Sequence, residues 1–397
     1  MNRYARITPE GTKDYLLEEC DAIEQTKNAL AGVFQSRGYR RVMPPHLEFI
    51  DVYRNTSASW LTEKLYTLTD SRGRLLALRP DATSPIARIA ATRMRDARLP
   101  LRLYYHETVF RRSRLYAGHS DAVLQSGVEL LGADGLRADL EIFLCAVDAL
   151  RACGASRFRI EIGHAGIFKA LVAAIDIDDV TKSALAQAIE SKNSDELEIL
   201  LQSNAITATD AFRALPRLFG DESVLRKAKT LFRASEALQA VEYLQTLIQY
   251  VRELDLMDYV DIDLGLVHGQ SYYTGFVFRG YMEGSGLPVL SGGRYDQLLR
   301  DFGRPAPAIG FALDVHVLAQ ASLLRGEVVA QSLPDILVFG MDGFQATALR
   351  RLHQLESEGH RCEYSIAKTK EEAYAYAAAR KIPRVVVLGG GELEESI

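Results

Sequence analysis

The stretch Ala122-Val-Leu-Gln125-Ser-Gly127-Val-Glu129-Leu-Leu131 decides the fold. Side chains alternate across a strand, so residues two apart share a face. Leu124, Val128 and Leu130 then lie on or near the apolar face, while Val123, Gln125, Gly127 and Glu129 share the other. A second run, residues 101–111, has the same texture, and a polar loop over 112–121 separates the two. The pair reads as two long antiparallel strands, and the same parity puts Glu107 and Arg111 together on the partner. A sheet face showing Gln, Glu, Glu and Arg around a glycine is suited to be the floor of a polar pocket. On pattern alone it also reads as a solvated face, since antiparallel sheets often turn one side to water.

Outward from this pair, helical spacing of Leu16, Ile23, Leu30 and Phe34 predicts a helix over 16–37, stopped by Gly38. Short strands follow at 40–43 and 75–78, then a helix from 84 to about 95 opened by Pro85. A helix over 138–152 and a strand at 158–162 come next. From 165 to 256 glycine becomes rare and Leu, Ala, Glu, Gln and Lys dominate, the composition of a helical insertion. Strands return at 260–267, 272–280, 289–291 and 308–313, with a helix at 315–324. Past a linker at 332–334, strand and helix alternate to 388, as in a small α/β domain. The fold class is therefore α+β. The expected division is a core formed by 1–163 and 259–325, an insertion over 164–258 and a small domain over 333–397.

Composition narrows the function. The 397 residues are 48% hydrophobic and 25% charged with a net charge of −5, so no general basic field exists to hold nucleic acid. Cys20, Cys145, Cys153 and Cys362 form no C-x-x-C pair, which argues against a zinc ribbon or redox dithiol. No metal or cofactor is expected. Gly-x-Gly-x-x-Gly, the phosphate-binding Gly-x-x-x-x-Gly-Lys, His-Glu-x-x-His and Gly-x-Ser-x-Gly are all missing. A polar start and the lack of a long apolar run point to a cytoplasmic protein without a membrane span.

Two further stretches carry chemistry. In Leu264-Gly-Leu-Val-His268-Gly-Gln-Ser271-Tyr272-Tyr273-Thr-Gly275, three glycines permit close backbone approach and Tyr272 and Tyr273 offer phenols facing opposite ways. It reads equally as a bulged core strand with structural tyrosines. Ser291-Gly-Gly-Arg-Tyr-Asp296, followed by Ala308-Ile-Gly-Phe-Ala312, reads by itself as a glycine turn into a helix.

Together these motifs resemble the histidyl-tRNA synthetases, class II aminoacyl-tRNA synthetases built on an antiparallel sheet flanked by helices. The resemblance covers Thr8 to about Leu324, and 334–397 resembles a truncated anticodon-binding domain. The segment from Gly38-Tyr39 to Glu48 is similar to motif 1, which forms dimers. Arg79-Pro-Asp81-Ala-Thr83 is similar to the amino-acid-binding Arg-Pro-Glu-Gly-Thr, and Phe110-Arg111 through Glu129 to motif 2. The resemblance implies that Asp81, Thr83 and Gln125 meet the ammonium of a bound histidine, and that Glu129 and Tyr273 hold its imidazole. Tyr272 joins this set, with Arg111 and His268 less firmly placed in the pocket.

The ATP machinery of that family is not matched. Ser113, His119 and Asp121 stand where motif 2 of the synthetases has an acid and two arginines. His268 and Ser271 replace another arginine and an aspartate, and Val317 stands where motif 3 ends in arginine. At 4 Å and an effective dielectric near 20, each unit charge pair amounts to about 4 kcal/mol, so arginine-to-aspartate is a heavy loss at a triphosphate. A histidine pocket without adenylation resembles the ATP phosphoribosyltransferase regulatory subunits. That resemblance implies no catalytic residues of its own, a short-form catalytic subunit as partner, a homodimer within a hetero-octamer, histidine as ligand and no tRNA. It further implies a role in histidine biosynthesis, in enabling the partner and in its feedback inhibition.

Overall fold

A computed structural model describes residues 3–54, 62–112, 120–204, 206, 209–267, 272–329 and 333–396. They form two compact units, Met1–Val328 and Val329–Ile397.

The first unit is organised by a nine-stranded sheet. In spatial order its strands are Arg40–Arg41, Leu101–Phe110, Ala122–Leu131, Ala308–Asp314, Leu290–Arg294, Phe276–Met282, Phe158–His164, Val260–Asp263 and Phe219–Gly220. All neighbours are antiparallel except the first pair and the pairing of Phe158–His164 with Val260–Asp263. The fold is thus α+β of the class II synthetase kind.

Register explains the two sides of this sheet. Tyr105 pairs with Gly127, Gly127 with Ala312 and Ala312 with Ser291, so these four share a face. Tyr104, Val128, Phe311 and Gly292 are likewise paired and share the other. The second face packs on helices Glu18–Ser36 and Gly135–Ala152 through Val128, Leu130, Phe278 and Phe311 against Leu30, Phe34, Ile142 and Phe143. Each large side chain so buried contributes roughly 1.5–3 kcal/mol. The first face meets helix Thr83–Thr92 and the Tyr272, Tyr273 and Tyr295 rings.

Several elements differ from their sequence expectation. The helix expected from 84 runs over Thr83–Thr92, so Pro85 is its third residue rather than its first; its missing N–H still falls among the unbonded donors of a first turn. The strand expected over 260–267 stops at Asp263, where Asp263 turns its carboxylate back to accept the Gly265 N–H at 2.8 Å. The strand expected from 272 begins at Phe276. The expected glycine turn is strand Leu290–Arg294. Its glycines serve close packing, because a Cβ on Gly292 would lie 2.6 Å from both Phe278 and Phe311.

The region 164–258 contains helices Ala165–Ala173, Asp179–Glu190, Ser194–Ser203, Thr209–Ala214, Ser223–Leu231 and Ser235–Glu253. It also supplies Phe219–Gly220, the edge strand of the main sheet, and its apolar residues run continuously into the main core.

In the second unit, strands Cys362–Tyr364, Ile336–Gly340 and Arg384–Leu388 are parallel in that order, and Glu392–Ser396 pairs antiparallel at the edge. Ile336 and Val338 pack on helix Gln345–Ser357, whereas Leu337 and Phe339 pack on helix Lys370–Arg380. A sheet covered on both faces explains the uninterrupted apolar runs of its central strands. The edge strand, Glu-Leu-Glu-Glu-Ser, has no such signature and pairs through its backbone.

Candidate functional site

A cavity of about 80 Å³ opens on the polar face of the main sheet. Asp81, Thr83, Arg111, Gln125, Glu129, Tyr272 and Tyr273 line it, together with Tyr105, Ser291, Tyr295 and Gly310. At roughly 30 Å³ per water its 80 Å³ is about three waters, the scale of an imidazole ring rather than a nucleotide. His268, Ser271, Ser113 and His119 lie outside the described residues.

The sheet supplies the floor. Gln125 and Glu129 project from strand Ala122–Leu131, and Glu129 lies opposite Gly310 on the neighbouring strand. A Cβ at Gly310 would stand 2.0 Å from the Glu129 Oε2, so this glycine makes the room the carboxyl occupies. Gly127 does the same for Tyr105, whose hydroxyl would lie 2.7 Å from an added Cβ. The rim comes from the start of helix Thr83–Thr92. Asp81 accepts the Ser84 N–H at 2.8 Å and the Ser84 hydroxyl at 3.2 Å, which fixes that helix start beside the pocket.

Glu129 is 1% exposed and doubly bonded. Thr83 Oγ1 donates to Oε1 at 2.7 Å, and the Tyr295 hydroxyl donates to Oε2. Burial pushes its pKa up to about 8; the bonds from Tyr295 and Thr83 pull down and the nearby Asp81 charge adds to the rise. A pKa raised in this way favours the protonated form near neutral pH, in which the group can donate a proton. Burial likewise pushes Tyr273 up to about 12, against hydrogen bonds with Tyr272 and Ser291. Tyr105, Tyr272 and Tyr295 are raised well above the ordinary phenol range, chiefly by burial. All remain phenols at neutral pH.

Tyr272 and Tyr273 do not face opposite ways. Their ring centroids are 4.6 Å apart, and both rings enter the same cavity because they precede the strand and are free of its alternation. Glu107 leaves the expected floor: it pairs with the fully buried Arg79 at 2.5 Å. Arg79 also donates to the carbonyls of Thr108 and Pro44 at 2.8 and 2.7 Å. Arg111 reaches the rim while its Nε donates to the Pro80 carbonyl at 2.7 Å.

Asp121 is not a pocket residue. The Tyr66 hydroxyl donates to its carboxylate, which packs against Gly11. Val317, in the first turn of helix Val315–Leu324, packs against the main core. Among the described residues no group of three or more His, Cys, Asp or Glu side chains is arranged to hold a metal ion.

Sequence reading missed Tyr105, Tyr295, Ser291 and Gly310 as lining residues. Tyr105 was within reach of parity, being two residues from Glu107. Ser291 and Tyr295 lie in a stretch that looked like a turn.

The family model of histidyl-tRNA synthetase matches residues 11–318. An ATP phosphoribosyltransferase regulatory subunit of Clostridium kluyveri is 36% identical over 386 residues, covering 96% of this chain and 99% of that relative. The one from Clostridium acetobutylicum is 37% identical over 392 residues, with 97% and 96% covered. The chain belongs to the ATP phosphoribosyltransferase regulatory subunits, a branch of the histidyl-tRNA synthetase family. In three dimensions it is similar to an ATP phosphoribosyltransferase regulatory subunit/histidyl-tRNA synthetase from Bacillus halodurans, with a TM-score of 0.81, 27% identity, and 97% and 99% of the two chains covered. Members of this family thus share the whole two-unit chain, beyond the synthetase core that the family model spans.

Proposed function

We propose that this chain is a non-catalytic, histidine-binding subunit of ATP phosphoribosyltransferase. It enables a short-form catalytic subunit, which transfers a phosphoribosyl group onto ATP, and it carries feedback inhibition by histidine. The observation that carries the reading is the cavity itself. It offers Asp81 for an ammonium, the Arg111 guanidinium for a carboxylate, and a buried Glu129 with neighbouring phenols for a ring that can accept and donate. A site built to bond both ring nitrogens rejects amino acids lacking them.

The absence of adenylation chemistry in this reading rests on side chains. The Val317 side chain donates no hydrogen bond where the synthetases' motif 3 ends in arginine, and the Asp121 carboxylate accepts from Tyr66 instead of supplying the cation that an arginine would. Binding energy that drives no reaction acts as a signal when the ligand binds one state of an assembly better than another.

A homodimer is supported by the three-stranded sheet formed by Leu47–Phe49, Leu75–Leu78 and Thr67–Thr69. Phe49, Leu76 and Leu68 are register partners, as are Leu47 and Leu78. Together they make an apolar face with Leu47, Phe49 and Leu68 each about 40% exposed, at 40%, 43% and 39%. Such a face on a folded chain is suited to burial against a partner.

The experiment is a phosphoribosyltransferase assay of the short catalytic subunit, with and without this chain, across a histidine titration. Activity that depends on this chain and falls with histidine supports the proposal. A catalytic subunit equally active alone and equally inhibited alone removes it.

A further inference from the structure

The segment bearing Tyr272 and Tyr273 is fastened at both flanks to the helical insertion. On the upstream flank the Leu264 N–H donates to the Leu218 carbonyl at 3.0 Å, and Lys192 Nζ lies 3.2 Å from the Asp263 carboxylate. Gly265 passes so close to the insertion that a Cβ there would stand 2.9 Å from the Leu215 carbonyl oxygen. On the downstream flank Lys169 Nζ donates to the Tyr273 carbonyl at 2.6 Å, and the Ala165 N–H donates to the Gly275 carbonyl at 2.9 Å. Lys169 stands on helix Ala165–Ala173, and neither it nor Lys192 lines the cavity. From the other side, Thr274 is held by the Arg294 carbonyl at 2.7 Å and by the Asp296 carboxylate at 3.0 Å.

We propose that Lys169 is a positioning residue for the tyrosine pair, and that the helical insertion through it sets the affinity of the pocket for its amino-acid occupant. The proposal rests on the histidine reading of that pocket. An ammonium on a peptide carbonyl makes a charge-assisted bond, stronger than a neutral one and short at 2.6 Å. It fixes the peptide plane directly after the Tyr273 Cα, and so the direction from which that ring enters the cavity. Because Lys169 belongs to the insertion, any tilt of helix Ala165–Ala173 is carried to the Tyr273 main chain. By reciprocity, an occupant that prefers one setting of Tyr273 biases the position of the helix.

The test is calorimetric titration of the full-length chain with L-histidine, for wild type, Lys169→Met, Lys169→Arg, Tyr273→Phe and the Met/Phe double variant. Lys169→Met is expected to weaken binding by about tenfold, the worth of one charge-assisted bond. Lys169→Arg should restore most of the affinity, since it also presents a cation to the carbonyl. In the double variant the loss should be smaller than the product of the two single losses, because both act on the same ring. Lys169→Met should lower the thermal midpoint only modestly and Lys169→Arg should restore it, because the bond to the Tyr273 carbonyl is made in the unliganded chain. Unchanged affinity in Lys169→Met, or losses that multiply in the double variant, would overturn the positioning role. A lowered midpoint without rescue by arginine would overturn it too, in favour of a purely structural contact. A wild-type chain that binds no histidine is a different result: it removes the ligand assignment beneath the proposal, and the proposal with it.

Discussion

Replacing Glu129 with glutamine tests the centre of the site. Burial pushes the carboxyl pKa up to about 8 in the folded chain, from an ordinary value of 4.5. Its folded pKa is raised, so the folded state holds a proton that the unfolded state has released. Stability from this group is therefore lost as pH rises from 4.5 to about 8 and is constant above. At about 1.4 kcal/mol per pH unit the loss is at most about 5 kcal/mol. Glutamine has the same shape and no proton to lose. The thermal midpoint of Glu129→Gln minus that of wild type should be near zero at pH 5 and grow in favour of glutamine up to pH 8. At about 2 °C per kcal/mol, the gain reaches about 10 °C at most. Binding should move the opposite way. Imidazole titrates near 6.5, so between there and about 8 both the ring and Glu129 are neutral, and the acid can hand its proton to a ring nitrogen without exchange with solvent. Histidine affinity in wild type should be flat across that window and fall on either side, since binding then releases or takes up a proton. Glu129→Gln should weaken binding by roughly 1–3 kcal/mol near pH 7.5. The assays are calorimetry in buffers of different ionisation heat and thermal melts from pH 5 to 9. A midpoint difference that is flat in pH, together with unchanged histidine affinity, would refute both the buried acid and its role toward the ring.

Tyr273→Phe removes one hydroxyl and keeps the ring, so the histidine concentration giving half-inhibition of the reconstituted phosphoribosyltransferase should rise about 5- to 10-fold with basal activity intact. Gly310→Ala puts a methyl 2.0 Å from Glu129 Oε2; it should abolish measurable histidine binding and lower stability by about 1–3 kcal/mol, read by calorimetry and denaturant melts. Pyrophosphate exchange with ATP and histidine should stay at the no-protein background, and exchange above that background contradicts the loss of adenylation.

The sheet face was legible because strand parity is local and strict: Gln125 and Glu129 had to share a side, and the register with Ala308–Asp314 puts Gly310 opposite Glu129. Parity failed where the chain is not a strand. Tyr272 and Tyr273 precede Phe276–Met282, so two residues expected on opposite faces enter one cavity. It also failed for Glu107, which is on the polar side but is claimed by Arg79, a residue 28 positions away. A long-range ion pair of this kind has no local signature. Tyr295 was quoted in its motif without a role, because a Gly-Gly-Arg-Tyr-Asp turn and a Gly-Gly-Arg-Tyr-Asp strand look alike until a partner strand is known. The helical character of 165–256 was legible by composition, yet the strand within it, Phe219–Gly220, is two residues long and exists only through its pairing with Val260–Asp263.

The protonation state of Glu129 was the least legible property and the most consequential for the site. A glutamate in a sequence is read as a negative charge, and a negative charge beside Asp81 would make the cavity strongly cation-selective. Burial works against that charge near neutral pH, and Asp81 and Arg111 line the pocket beside it. One acid and one guanidinium suit the ammonium and carboxylate of a free amino acid, whose main-chain groups carry no net charge. Glu129, with Thr83 and Tyr295 already donating to its oxygens, is left to discriminate by its own proton. An amino acid whose side chain accepts that proton gains a charge-assisted bond in a dry site, where such a bond is strongest. One that cannot accept it leaves a buried acid facing apolar atoms. Selectivity for a basic, planar ring then follows from the same burial that works against the charge.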